Sequence, residues 1–332
     1  MRIEVTAFLL PHIGDEYSQC ADRFHYDKAT KSFAIADGVG NSLFPGDWAM
    51  LLCEDFVKHP DIFTENSILV REDELIKDWE KSRDERVSNL TDDEKFIFEM
   101  GLEKADFAAS TFVGLSLGSK EWKCQAIGDS YLIVLDNDFN IIETVASMKG
   151  KEFDNYPEYF GSKKGHNNGE IVPSTGGYEN VQYLVLMTDA ISDWFLSDKT
   201  DNEKRKELLS LANHQDYERF INEERQLGNL KDDDTSMLVL KLENDGLEDF
   251  VFDFKDIDKI EDFIAKENKQ IKEEADVIHE NKVEEIQSIE SVKLDIKRNF
   301  DNILNDGKGS NIKYMRKIIK KLNKCKDILL KK

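Results

Sequence analysis

The chain has 332 residues and carries 68 Asp and Glu against 45 Lys and Arg, a formal net charge of −23. That length makes one large domain or two ordinary ones and can bury a full core without disulfides. So acidic a surface repels phosphate backbones and anionic lipid, which makes nucleic acid and membrane poor partners for the bulk of the molecule, while 40% hydrophobic residues are too many for a disordered acidic chain.

Cys20, Cys53, Cys124 and Cys325 stand far apart, with no C-x-x-C pair and no zinc spacing, and read as reduced thiols. No apolar run approaches the ~20 residues of a membrane span. The N-terminal segment lacks the small-residue cleavage site of a signal peptide. The expectation is a soluble, cytoplasmic protein.

In chain order, residues 1–9 and 32–36 read as strands, and 47–58 follows a helical period with Trp48, Leu51, Leu52 and Phe56 on one face. Residues 70–82 and 92–107 are helical in pattern, the second opening on Thr91 with acids in its first turn. STFVGLSLG, EWKCQAIG, SYLIVLD and NIIETVAS are short β-rich runs. Residues 147–180 form a long irregular excursion with Lys149, Lys151, Lys163, Lys164 and His166, open to two readings, a flap over a substrate or a solvated loop. Residues 182–188 and 235–242 are buried strands, two helical stretches lie at about 190–197 and 202–225, and 249–255 alternates like a strand with one exposed face.

After Lys255, Ile257, Ile260, Ile264, Ile271, Ile278 and their successors step by threes and fours between charged residues. This predicts one amphipathic helix of roughly 50 residues, broken at Gly307-Lys308-Gly309 and followed by a second helix. The simplest arrangement is a helical hairpin arm over 256–332. From Gly307 to Lys332 there are ten Lys or Arg against Asp327, so the tail carries +9 and residues 1–306 carry −32. The arm has three readings: a hairpin that packs or self-associates, a tail that pairs with the acidic first helix, or a docking element for a protein partner, RNA or an anionic surface.

The chemistry lies in aspartates at strand ends. Asp22 sits in CADRF, Asp37 closes SFAIADG, Asp129 follows QAIG, Asp189 closes QYLVLMTD, and Asp232 opens DDDT before a buried strand. One such Asp is a turn residue. Five gathered at one end of packed sheets would repel each other, and divalent cations are the natural counter-charge. Mg²⁺ and Mn²⁺ prefer oxygen ligands, and the motifs contain neither His nor Cys, which argues against zinc.

In this order the motifs resemble the metal-dependent protein phosphatases (the PPM family, or type 2C serine/threonine phosphatases), especially bacterial members. The resemblance covers residues 1–255. It implies an α+β fold, an α-β-β-α sandwich of two antiparallel sheets flanked by helices, with 256–332 as an extension. It implies a phosphoserine and phosphothreonine protein phosphatase using two or three Mn²⁺ or Mg²⁺ ions, with hydrolysis by a metal-bridging hydroxide, no residue acting as nucleophile, and a phosphoprotein as substrate. The ligand positions carried over are Asp22, Asp37 as the bridging Asp, the Gly38 carbonyl, Asp129 at a third site, Asp189 and Asp232, with Asp233 or Asp234 replacing Asp232 if the register slips; Asp193 matches the second Asp of its motif. Tyr17 stands where the family usually carries a phosphate-binding Arg, and Val39 where some members carry a His. The alternative is a pseudophosphatase or phosphatase-like sensing module that acts through the arm.

Overall fold

The structure, a computed structural model, describes residues 1–255 except 18, 41, 61–66, 89–105, 152, 154–155 and 244–248, together with 319–320. The chain divides into two units, Met1–Ile264 and Ala265–Lys332, and every element below belongs to the first. The helix expected over 92–107 falls almost wholly outside the described residues, as does the arm over 256–332.

Two sheets and five helices make up the described fold. The six-stranded sheet has the order β13-β1-β12-β11-β7-β8, built from β1 (Arg2–Leu10), β7 (Tyr131–Leu135), β8 (Ile141–Val145), β11 (Tyr183–Met187), β12 (Thr235–Glu243) and β13 (Val251–Lys255). The five-stranded sheet has the order β10-β6-β5-β3-β2, from β2 (Arg23–Asp27), β3 (Ser32–Ala36), β5 (Phe112–Leu117), β6 (Glu121–Ile127) and β10 (Val172–Gly177). A short ribbon pairs β4 (Ala109–Ser110) with β9 (Phe160–Gly161). One pair departs from the expectation of antiparallel sheets: β13 runs parallel to β1, Arg2 opposite Val251. β12 ends at Glu243 and β13 begins at Val251, so β13 runs back against the direction of β12 and therefore parallel to β1, on the side of β1 that β12 leaves open.

The faces sort by size. Phe33 and Ile35 of β3, with Val113 and Leu115 of β5, share one core with Ile3, Val5, Leu132 and Leu184 of the six-stranded sheet. The other face of the five-stranded sheet presents Ala34, Ala36 and Gly114, small residues that admit a helix. Helix α1 (Pro45–Lys58) fills that space with Trp48, Leu52 and Phe56, and Phe56 meets Phe112 edge-on at 5.5 Å. Each such aromatic side chain contributes about 2–3 kcal/mol by burial. Trp48 also donates its indole N–H to the Phe160 carbonyl at 2.8 Å. Helix α2 (Ser67–Ser88) adds Leu75 and Trp79 to this second core.

On the six-stranded sheet lie α3 (Asp189–Leu196) and α5 (His214–Gln226), and α4 (Asn202–Leu209) joins their core through Leu208. Phe8 stacks on Tyr217 of α5 at 4.7 Å. The stretch 202–225 is therefore two helices rather than one. Asn213 ends the continuity by capping α5, its side chain accepting from the Asp216 amide at 3.0 Å. Among the described residues no helix is long and apolar enough to cross a membrane.

Candidate metal centre

Four of the predicted aspartates come together. Asp22 precedes β2, Asp37 follows β3, Asp129 lies between β6 and β7, and Asp189 opens α3 after β11. Asp22 and Asp129 are 0% and 3% exposed, while Asp37 and Asp189 keep some solvent contact. Their electrostatics link them. Burial raises the Asp37 carboxyl far above the usual range, and Asp189, Asp22, Asp129 and Asp233 push it further. Asp189 is pushed up to about 7, by burial first and then by Asp129 and Asp233. Asp22 is raised strongly by burial, then by Asp234.

Hydroxyls hold the carboxylates in place. Thr188, at the end of β11, donates to Asp22 Oδ2 at 2.8 Å and accepts the Ser236 amide at 2.9 Å, so it ties two strand ends to one ligand position. The Asp37 carbonyl accepts from Ser110 Oγ at 2.7 Å and from the Thr111 amide at 2.9 Å, and the Thr111 hydroxyl meets Ser130 at 2.7 Å. The Ser-Thr and Gly-Asp-Ser motifs thus clamp the backbone of Asp37. Gly128 has φ +95°, and a Cβ there would stand 2.6 Å from both the Glu158 carbonyl and the Thr111 side chain. Gly38 faces the start of α1, where a Cβ would lie 2.7 Å from the Pro45 carbonyl carbon. These hydroxyl roles had no sequence signal beyond membership in the motifs.

The three consecutive aspartates before β12 divide their work. Asp232, the predicted ligand, does not join the group. Its side chain is 48% exposed, accepts from the Ile13 amide at 2.8 Å and lies 3.8 Å from Arg225. Asp234 accepts from the amides of His12 and Ala21, at 2.9 and 2.7 Å, and so fastens the loop that carries Asp22. Asp233 is the member that repels Asp37 and Asp189, and its own carboxyl is raised, by burial first. The chain bends at Asp232 and Asp233 just before β12, so neighbouring carboxylates leave it in different directions.

Among the described residues no three Asp, Glu, His or Cys side chains already grip a common point. The donor chemistry nonetheless fits a hard divalent cation: the group is all oxygen, anionic and mutually repelling. Asp22 Oδ1 is buried without a hydrogen bond of ordinary geometry, although the Ser236 hydroxyl stands near it. An anionic oxygen in that position is costly unless a cation meets it.

A family model described as Protein phosphatase 2C matches residues 12–236. The chain belongs to the protein phosphatase 2C family. Its function class, that of a metal-dependent serine/threonine protein phosphatase, follows from that membership. Solved structures similar to this family member include the serine/threonine phosphatase Stp1 from Staphylococcus aureus, at 15% identity over 72% of this chain and 95% of that one, with a TM-score of 0.47. The serine/threonine phosphatase PstP/Ppp from Mycobacterium tuberculosis is 15% identical over 73% of this chain and 99% of that one, with a TM-score of 0.44. The catalytic domain of PstP in complex with two manganese ions is 15% identical over 72% and 97%, with a TM-score of 0.44. No curated protein sequence matches.

In this 2C-family member, the side chains considered for phosphate binding have other partners. Tyr17, where the phosphate-binding Arg was expected, is 8% exposed and meets His214 through its hydroxyl. Arg23 donates to the carbonyls of Cys20 and Asp22, at 2.5 and 2.6 Å, and braces the first motif. The lysines of the 147–180 excursion are engaged elsewhere: Lys149 with the Thr144 carbonyl, Lys151 with Glu158, Lys163 with Asp106 and Lys164 with Asp73. His166 packs on Phe107 at 4.8 Å. The excursion also contains β10, an edge strand paired with β6.

Proposed function

We propose that this chain hydrolyses phosphoserine and phosphothreonine esters of proteins at a centre of two Mn²⁺ or Mg²⁺ ions. Asp22, Asp37, the Gly38 carbonyl, Asp189 and Asp233 hold the two ions in this reading, with Asp129 beside a third. The carrying observation is four aspartates from four separate strand ends, with Asp22, Asp129 and Asp189 all acting on the buried carboxyl of Asp37. When bound, the ions supply an activated water and neutralise charge on the phosphoryl oxygens. The protein's own part is orientation. Thr188 fixes Asp22, Ser110 and Thr111 fix Asp37, and the N-terminal end of α3 favours the ionised form of Asp189.

Turnover of p-nitrophenyl phosphate and of phosphopeptides with Mn²⁺ or Mg²⁺ tests the reading. Chelator is expected to abolish it, and Asp37→Asn or Asp189→Asn to lower kcat at least about 100-fold. Absence of turnover with every metal would sink it and leave the second reading, a metal-binding pseudophosphatase. The buried Tyr17 at the expected Arg position favours that second reading. Calorimetric metal titration separates the two from a scaffold that binds no ion.

The same proposal includes the α-β-β-α sandwich, supported by the core shared between the sheets and by α1 and α5 on opposite outer faces. It includes a phosphatase domain over 1–255, a helical arm over 256–332 that self-associates or binds a protein partner, and a cytoplasmic location. The arm rests on its isoleucine period alone.

A further inference from the structure

The five-stranded sheet has two ends, and the aspartates occupy one of them. At the other, the turn before β3, the end of α1 and the β5–β6 hairpin enclose a groove of about 920 Å³. Lys31, Lys58, His59, Lys120 and Lys123 line it, against one carboxylate, Glu121. Four lysines in one groove stand out on a chain whose net charge is −23. Their present partners hold them loosely. Lys58 pairs with Glu54 at 3.1 Å and Lys123 with Glu121 at 3.8 Å, both at exposed positions where such pairs are worth little. Lys31 lies 5.1 Å over the Phe250 ring, and His59 faces Asp55, which Arg71 also grips. Ser116 and Ser119 add hydroxyls to the lining.

A second cavity, whose lining includes Arg23 beside Asp22, has the opposite character. It measures about 300 Å³ between α1 and α2 and is lined by Asp47, Glu54 and Asp78, with Arg23 committed to backbone carbonyls. Attraction for an anionic protein segment is therefore placed away from the catalytic end. Resting on the phosphatase reading above, we propose that the groove of Lys31, Lys58, Lys120 and Lys123 docks an acidic or phosphorylated segment of the protein substrate. The five residues of β3 separate Lys31 from Asp37, six steps or about 20 Å of strand. A docked segment must then lie at least about six extended residues from the serine or threonine being dephosphorylated.

The experiment uses the full chain and two labelled phosphoserine peptides with equal flanks. One carries a run of glutamates eight to twelve residues away, the other a run of glutamines. Binding is read by fluorescence anisotropy in the presence of chelator, where no turnover is expected. The acidic peptide is expected to bind about tenfold more tightly, and the triple variant Lys58→Ala/Lys120→Ala/Lys123→Ala to lose that advantage. With metal, the variant is expected to raise KM for the acidic peptide about tenfold at unchanged kcat and to leave p-nitrophenyl phosphate turnover unaltered. Salt is expected to remove the preference of the native chain, a readout that needs no variant. Equal binding of the two peptides, a preference that survives in the folded variant, or tighter binding of an oligonucleotide of equal charge would overturn the proposal. A preference that persists in a chain without turnover would leave docking standing and remove the phosphatase reading instead.

Discussion

Asp232, Asp233 and Asp234 are chemically identical and adjacent, yet their surroundings give them three different tasks. Asp232→Ala removes one hydrogen bond to Ile13 at an exposed position and is expected to change Mn²⁺-dependent kcat/KM less than about fivefold. Asp233→Ala removes a carboxylate that faces Asp37 and Asp189 and is expected to lower it at least about 100-fold, with weaker Mn²⁺ binding by calorimetry. The reverse order would return the ligand role to Asp232. Asp189 gives a second test at this scale. Its folded carboxyl, at about 7, lies above its value in the unfolded chain, so folding favours the protonated form. That stabilisation is complete below about pH 4 and disappears as pH rises through 7. Asp189→Asn cannot ionise. Without metal it is expected to melt about 2–4 °C higher than the native chain at pH 7.5, and to show a flatter melting profile between pH 4 and 7. A lower melting temperature for the variant would rule out a net cost of burying the Asp189 carboxylate beside its neighbours.

At the scale of elements, α1 is the part that reaches the metal loop. Gly38→Ala puts a methyl against the Pro45 backbone and forces α1 away from Asp37. It is expected to cost about 1–3 kcal/mol in urea denaturation and to reduce metal-dependent turnover more than the stability loss explains. Unchanged turnover would mean that the loop and the helix start move together without consequence. The strands that carry long apolar runs, such as YLVLM and TSMLVLKL, were legible because burial on both faces leaves no polar period. β2 and β10 were not. RFHYD is a mixed strand with an Arg and an Asp at its ends, and VPSTGG reads as a turn by composition, yet it pairs with β6 over its whole length. The gathering of Asp22, Asp37, Asp129 and Asp189 followed from their places at strand ends. The choice within DDDT did not, since the bend at Asp232 and Asp233 before β12 decides it and each of the three satisfies the local pattern.

At the scale of the whole molecule, the charge is arranged rather than merely abundant: carboxylates crowd one end of the five-stranded sheet and lysines the other. The topology adds a constraint of its own. Among the described residues β1 pairs with β12 and β13, Arg2 opposite Glu243 and Val251, and the Met1 carbonyl accepts the Val251 amide at 3.0 Å. A chain ending at residue 234 lacks both neighbours of β1 and is expected to partition into the pellet on expression, whereas one ending at 255 keeps both and is expected to remain in the supernatant. Sedimentation of the two products checks this. At about 5–20 residues per second, synthesis leaves the apolar strand FLL without a partner for roughly 10–50 s after it leaves the ribosome. Over that interval the nascent chain grows steadily more anionic, from −3 over residues 1–50 to −22 over residues 1–240, and like charge increasingly holds neighbouring nascent chains apart. The acidic excess therefore also protects a first strand that cannot pair until almost the whole domain has been made.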